Sequence, residues 1–457
     1  MFERFLQARQ HERERSDLGL LLKDCRQLLT ERGESNSLAI AARALGRYQA
    51  LSTNARQQFF EVLASDFDPD PGDVLQLAEK YAVTRSPDNL IQLARAAEPP
   101  RQELLRRLNR APGGTGVIVG MREHVLERLR VNKKLKAVDA DLQHLLSSWF
   151  NPGFLRLTRV DWNSPAALLE RLIQHEAVHA IDGWNDLRRR LQPDRRCFAF
   201  MHPVLAGEPL IFVEVALLKD VPTAIAPLLD SPPPEAAAPQ KFKVAAFYSI
   251  SNCQPGLRGI NLGNFLIKRV AEQLQSDVPT LKTFCTLSPV PGFAAWLART
   301  TEIKLESLSA EKLRRINETL AALRKRHQAD LSGLATALAN TAASTPATGP
   351  GNETGNTPAP GQIKPVDEAA LRSLCACYLL HSSHAAIGEG DPVARFHLNN
   401  GARLERINAQ ADLSRKALRQ SHGLMVNYLY DLDEIENNHE AFVSGSVSAS
   451  RAVTSLI

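Results

Sequence analysis

The chain is expected to be α+β in two parts, an N-terminal all-helical bundle over 1–150 and a mixed-sheet domain over 151–457. Three observations lead there. Helical periodicity runs without interruption through the first part, and strand-like apolar runs first appear near Asn151. The second part then shows strands in a run, one amphipathic helix and a further strand, the order of a layered α+β sheet. A length of 457 residues leaves room for two or three domains, each with its own core.

In the first part, LGLLLKDCRQLLTERG sets Leu, Leu and Cys at helical spacing and ends on Gly33, expected as a C-terminal stop. SLAIAARALGRYQAL, NARQQFFEVLASDF, DPGDVLQLAEKYA and SPDNLIQLARAA follow, each opened by Ser, Asn or Asp. Asp70-Pro71 and Ser86-Pro87 place a polar cap directly before a proline, the chemistry of a helix start. PPRQELLRRLNRA, VIVGMREHVLERLRV and KKLKAVDADLQHLLSSWF complete the series. It contains no ExxH pair and no inward carboxylate set of the kind that builds a catalytic bundle. The expected role is interaction or oligomerisation, with the heptad-like LERLRVNKKLKAVDADL a candidate for self-association.

In the second part GFLRLTRVDW reads as a strand and SPAALLERLIQHEAVHAI as a helix. CFAFMHPVL and PLIFVEVALL, separated by Ala206-Gly207-Glu208-Pro209, read as a hairpin. KVAAFYSISN reads as a buried strand, RGINLGNFLIKRVAEQLQ as a helix, and TLKTFCTLS as a strand returning parallel to the first. Residues 310–338 and 366–381 are helical in pattern. Between them an insertion near 341–362, rich in Pro, Gly, Thr and Asn, is expected to be a mobile loop. The end reads as a short extended piece, RFHL, a turn at Asn399-Asn400-Gly401, a helix, and the strand LMVNYLY.

The 55 basic and 50 acidic residues nearly balance, giving a net charge of +5 and no argument for nucleic acid as a partner. No apolar run approaches the roughly 20 residues of a membrane span. The N-terminal MFERFLQARQHERERSDLG mixes arginines with acids and lacks a signal-peptide core, so a cytoplasmic protein is expected. Cys25, Cys197, Cys253, Cys285, Cys375 and Cys377 are sparse and lie mostly in apolar runs, which fits a reducing compartment. Cys375-x-Cys377 lacks the spacer of redox and zinc motifs, whereas Cys285, beside a suspected site strand, is a candidate reactive thiol.

His175-Glu176-Ala177-Val178-His179 matches H-E-x-x-H on a predicted helix, where two histidines one turn apart would flank Glu176 and a metal-bound water. No third histidine follows at the metzincin spacing. Glu208 and Glu214 fall on a predicted turn and strand rather than a second helix. No metal is therefore expected, and His179 is read as packing under the sheet or lining the site.

The stretch 247–296 carries more. A glycine-bearing turn opening a helix offers unused N–H groups and a positive dipole end, which suits phosphate. The turn Arg258, Gly259, Ile260, Asn261, Leu262, Gly263, Asn264 resembles the R/Q-x-x-G-x-G/A pyrophosphate loop of the GNAT acyltransferase fold, with Asn261 in place of the first glycine. Asn tolerates positive φ better than most residues, which makes the exchange physically reasonable. YSIS, LGNFLIKRV, SPVPGFAAW, FHLNNGARLERIN and GLMVNYLY occur in this order, and EAVH, RRRL and RRCFAF precede them. Together they closely resemble the malonyl-CoA decarboxylase family across essentially the whole chain. That resemblance implies a GNAT-like catalytic domain after a helical domain, with Ser288 and His397 as the catalytic pair. It further implies supporting polar groups at Ser249, Tyr430 and Asn261, and coenzyme A bound by 258–264. Asn261 stands where eukaryotic relatives carry glutamate.

The resemblance also implies a homo-oligomer, dimer or tetramer, and no cofactor beyond the coenzyme A thioester that is the substrate. The pathway is left between malonate catabolism and control of the malonyl-CoA level. Decarboxylating a malonyl thioester needs no nucleophile, because the thioester carbonyl accepts the electrons. It needs the carboxylate held out of the carbonyl plane, the enolate stabilised and Cα protonated. His397 is expected to bind the malonyl carboxylate and then to give or feed the proton, with Ser288 orienting it. The alternatives are an acyl-CoA-dependent acyltransferase of the GNAT type and a non-catalytic acyl-CoA-binding assembly module. Malonyl-CoA supplied alone separates them.

Overall fold

The computed structural model describes residues 2–176, 178–230, 232, 242–260, 262, 266–305, 308–327, 365–382 and 390–457. The 341–362 insertion lies outside them, as do Asn261, Gly263 and Asn264. The chain divides into two compact units. One comprises 1–156, 200–211 and 252–263, and the other 157–199, 212–251 and 264–457.

The first unit is built on α1 (Phe2–Thr30), α2 (Glu34–Ala50), α3 (Thr53–Ser65), α4 (Pro71–Thr84), α5 (Pro87–Ala97), α6 (Pro100–Asn109), α7 (Gly114–Arg128) and α8 (Lys136–Trp149). The Asp-Pro and Ser-Pro starts behave as their chemistry requires. Asp70 accepts the N–H groups of Gly72 and Asp73, and Ser86 that of Asn89, each directly ahead of a proline. Such caps contribute about 1 kcal/mol apiece. Gly33 differs from expectation. With φ −80° it is not a left-handed stop but the N-cap of α2, and Glu31 ends α1 by accepting the N–H groups of Arg32 and Gly33. Two later pieces of chain join this unit: a short 3-10 turn at Pro203–Leu205 and another at Pro255–Leu257. A Cβ on Gly256 would collide with the Val119 carbonyl of α7, so only glycine allows this approach.

Among the described residues the sheet has eight strands, β1 (Arg156–Val160), β2 (Arg195–Met201), β3 (Pro209–Leu218), β4 (Val244–Asn252), β5 (Thr283–Thr286), β6 (Ser288–Pro289), β7 (Arg403–Asn408) and β8 (Met425–Tyr430). Their order is β1-β2-β3-β4-β5-β8-β6, with β7 also paired to β8. The expected hairpin partners β2 and β3 are neighbours. β3 is buried from Pro209 to Leu217, which explains why its apolar residues follow one another, interrupted by Glu214, in place of alternation.

The strand–turn–helix–strand expectation for 244–286 also holds. β4 and β5 pair in parallel from Val244↔Thr283 to Phe247↔Thr286, with the helix Leu266–Asp277 between them in sequence. That helix buries Leu266, Ile267, Val270, Ala271 and Leu274, an i, i+1, i+4, i+5, i+8 stripe. Beyond the Leu287 N–H to Phe247 carbonyl bond the two chains part. β4 runs on to Asn252, and β6 leaves to pair with β8 at Ser288↔Val426 and Pro289↔Met425.

Three local readings are corrected. The helix expected through His179 stops at His175, and Glu176 leaves it with extended backbone, φ −66° and ψ 106°. RFHL is helical, within Pro392–Asn399, because Asp391 caps it and Pro392 opens it. The expected helix after Gly401 begins instead as β7, antiparallel to β8, and only Arg415–Ser421 is helical. Among the described residues no helix is long and apolar enough to cross a membrane.

Candidate active site

Ser288 opens β6 where the sheet divides, and its buried hydroxyl meets two neighbours. It donates to Thr286 Oγ1 at 2.9 Å and lies 2.9 Å from His397 Nε2. His397 comes from the two-turn helix Pro392–Asn399, whose buried stripe is Ala394, His397 and Leu398. Its Nδ1 lies 2.9 Å from the Tyr430 hydroxyl at the end of β8. The Tyr428 ring stacks on the imidazole at 4.6 Å between centroids. Thr286, Ser288, His397 and Tyr430 thus form a continuous hydrogen-bonded chain. One proton arrangement satisfies all of it: Tyr430 O–H to Nδ1, Nε2–H to Ser288, and Ser288 O–H to Thr286.

Burial sets the charge of these groups. It pulls the His397 imidazole down to about 3 and pushes the Tyr430 phenol well above its usual value. Without ligand, both are neutral near pH 7.

Two carboxylates outside the expected set organise the surroundings. Asp391 is fully buried and accepts Val393, Ala394 and Gly292 N–H groups, each at 3.0 Å. Glu176 accepts the Ser249 hydroxyl, with both carboxylate oxygens 2.7 Å away, and the Ser251 hydroxyl at 3.1 Å. It also accepts the N–H groups of Val178 and His179 at 2.8 Å. Ser249 is therefore engaged with Glu176 and Ser251, whereas Ser288, His397 and Tyr430 are brought together.

Of the expected coenzyme A turn, Arg258 and Gly259 are exposed and Gly259 has φ +80°, while Ile260 and Leu262 are buried. Sequence reasoning missed Thr286, Tyr428, Asp391 and the partnership of Glu176 with Ser249. Only Asp391 had a local signal, an Asp-Pro pair of the kind recognised at Asp70-Pro71.

Burial drives the Cys285 thiol up to about 12, which removes the thiolate that a reactive cysteine needs. Among the described residues no cluster of three or more His, Cys, Asp or Glu could hold a metal ion. The Glu176 carboxylate, drawn off its helix and saturated by four donors, is not presented to a metal-bound water.

A model of the malonyl-CoA decarboxylase C-terminal domain matches residues 153–457, and one of the N-terminal domain matches 67–150. Mitochondrial malonyl-CoA decarboxylase of Anser anser anser is 34% identical over 425 residues, covering 90% of this chain and 81% of the relative. That of Rattus norvegicus is 34% identical over 421 residues, 88% of this chain and 82% of the relative. The solved structure of malonyl-CoA decarboxylase from Rhodopseudomonas palustris is 43% identical with TM-score 0.79, covering 96% of this chain and 99% of that one. The one from Agrobacterium vitis is 45% identical with TM-score 0.77, covering 95% and 99%.

Proposed function

This chain belongs to the malonyl-CoA decarboxylase family, and we propose that it is a carboxy-lyase converting malonyl-CoA to acetyl-CoA and CO2, with Ser288 and His397 as its catalytic pair. The observation that carries the pair is the buried contact of 2.9 Å between Ser288 Oγ and His397 Nε2.

The bond from Cα to the carboxylate breaks, its electron pair moves into the thioester carbonyl, CO2 leaves, and the enolate takes a proton at Cα. A neutral imidazole brings no charge to the malonyl carboxylate. The incoming anion supplies the missing counter-charge, raises the imidazole pKa and draws a proton from solvent onto it. After CO2 departs, that proton passes to Cα, directly or through Ser288, and His397 returns to neutral. Tyr430 holds the far ring nitrogen, and the Tyr428 face stabilises the transient cation. Ser249 and Asn261 are supporting polar groups in this reading, and the 258–264 turn takes the coenzyme A diphosphate. Acyl transfer to an amine would call for a carboxylate free to act as base. Glu176, the carboxylate bonded to Ser249, already has four donors.

The assembly we favour is a homo-oligomer, dimer or tetramer, supported by apolar side chains left in solvent on α4 and α5, such as Leu75 at 62% and Val83 at 84% exposure. Light scattering in solution measures it. Six buried cysteine side chains support a reducing compartment, which we read as the cytoplasm, with neither nucleic acid nor membrane as a partner. Incubation with malonyl-CoA and no acceptor tests the function. Acetyl-CoA and CO2 are the expected products, and dependence on an added amine would overturn the reading.

A further inference from the structure

The turn after β4 is held from within its own unit by helix side chains. Arg122 of α7 is buried to 2% exposure. Its Nη1 donates to the carbonyls of Gly256 at 2.9 Å and Arg258 at 2.8 Å, and its Nε to Asp139 at 2.9 Å. Gln143 of α8 donates to the Gly259 carbonyl at 3.2 Å. The close approach of Gly256 to the Val119 carbonyl completes the grip.

A trans peptide points its C=O and the next N–H in opposite directions. Fixing the Arg258 carbonyl on Arg122 therefore turns the Gly259 N–H away from the guanidinium. The N–H groups of Leu257, Arg258 and Ile260 are used inside the turn, on Gln254, Pro255 and Leu257. That of Gly259 has no partner among the described residues. It sits at an exposed glycine beside the exposed Arg258 side chain. A backbone donor and a cation side by side are the elements of a phosphate contact.

We infer that Arg122, although in the helical part of the chain, is a positioning residue for the substrate's diphosphate: it fixes the backbone that presents the Gly259 N–H. This rests on the reading that the 258–264 turn takes coenzyme A. Arg122 touches no substrate itself. A guanidinium can serve both carbonyls and Asp139 at once through its planar fork. A lysine ammonium, a single point of charge, cannot reproduce that.

The test compares malonyl-CoA with malonyl-pantetheine, which keeps the reacting thioester but lacks the diphosphate and nucleotide, on the full chain. Arg122→Met is expected to lose about tenfold or more in kcat/KM for malonyl-CoA, mainly through KM. It should leave malonyl-pantetheine turnover unchanged, and Arg122→Lys should restore only part. Equal loss on both substrates, or no loss on either, overturns the inference. If circular dichroism shows that neither Arg122 variant folds, Gln143→Ala carries the test with the same selective loss expected, and its absence counts against the inference. Gly259→Val, strained at φ +80°, probes the underlying reading separately. It should abolish the preference for malonyl-CoA. If the preference survives, the turn does not hold coenzyme A and both statements fall. If it is abolished while the Arg122 variants keep it, only the inference falls.

Discussion

Asp391 accepts the backbone N–H of Gly292 at 3.0 Å through one carboxylate oxygen and caps the helix carrying His397 through the other. One buried side chain thus holds both the turn that follows Ser288 and the helix that brings His397. Asp391→Ala should cost about 2–4 kcal/mol in urea unfolding, from a lost cap and a stranded buried N–H. Its kcat should fall further than the stability loss explains. Asp391→Asn should lie between, since an amide can keep the cap but offers an NH2 to the Gly292 N–H. Wild-type turnover in Asp391→Ala would show that turn and helix stay in place without it.

Ser288→Ala and His397→Ala should each lower kcat roughly a hundred- to ten-thousand-fold, the usual range for a positioned proton-transfer group. Steady-state assays with malonyl-CoA read this directly. Groups acting as one unit are not additive, so the double variant should be little worse than the poorer single variant. Fully multiplicative losses would mean that the two side chains act independently.

Glu176 concentrates four donors on one carboxylate. Glu176→Gln offers one acceptor oxygen and turns an NH2 group toward donors, so a loss of about 1–3 kcal/mol is expected in thermal unfolding. Because that carboxylate is occupied, dialysis against EDTA should leave turnover intact. Activity lost on chelation and restored by zinc would revive a metal role for the HEAVH segment.

Acid should destabilise the fold through its buried imidazoles. Burial pulls His397 down to about 3 and His422 down to about 4. Unfolded, each takes a proton near pH 6.5. Between about pH 6.5 and the depressed values the unfolded chain therefore binds more protons, and stability drops as pH falls. The slope is at most roughly 1.4 kcal/mol per pH unit for each group, and above pH 6.5 it vanishes. His397→Gln should flatten the dependence of urea midpoints between pH 6 and 4.5. An unchanged slope would show that His397 is not held neutral by the fold.

The helical part was legible from its apolar periodicity and, for α4 and α5, from the start signals Asp70-Pro71 and Ser86-Pro87. The helix of His397 carries the same signal at Asp391-Pro392. With eight residues it is too short for periodicity to register, so Phe-His-Leu passed for an extended run. Ser288, His397 and Tyr430 were named through motif resemblance, since a serine before proline and a single histidine say little alone. Glu176 was hidden for another reason. Its side-chain partners lie 73 and 75 residues away, on the inner side of β4, and its neighbours in sequence imitate a zinc motif. Strand β7 was missed because Arg403, Glu405 and Arg406 alternate with Leu404 and Ile407 too irregularly, around a bulge between Leu404 and Arg406.

The grip of Arg122 on the turn at Gly256 and Arg258 ties two distant parts of the chain together. One family model ends at residue 150 and the next begins at 153. By its contacts, though, the turn belongs with the helices that precede that boundary. A split at the boundary would part the turn from its anchor. Exchanging helical segments between relatives should succeed only where the residues at 119, 122 and 143 travel with the turn they hold.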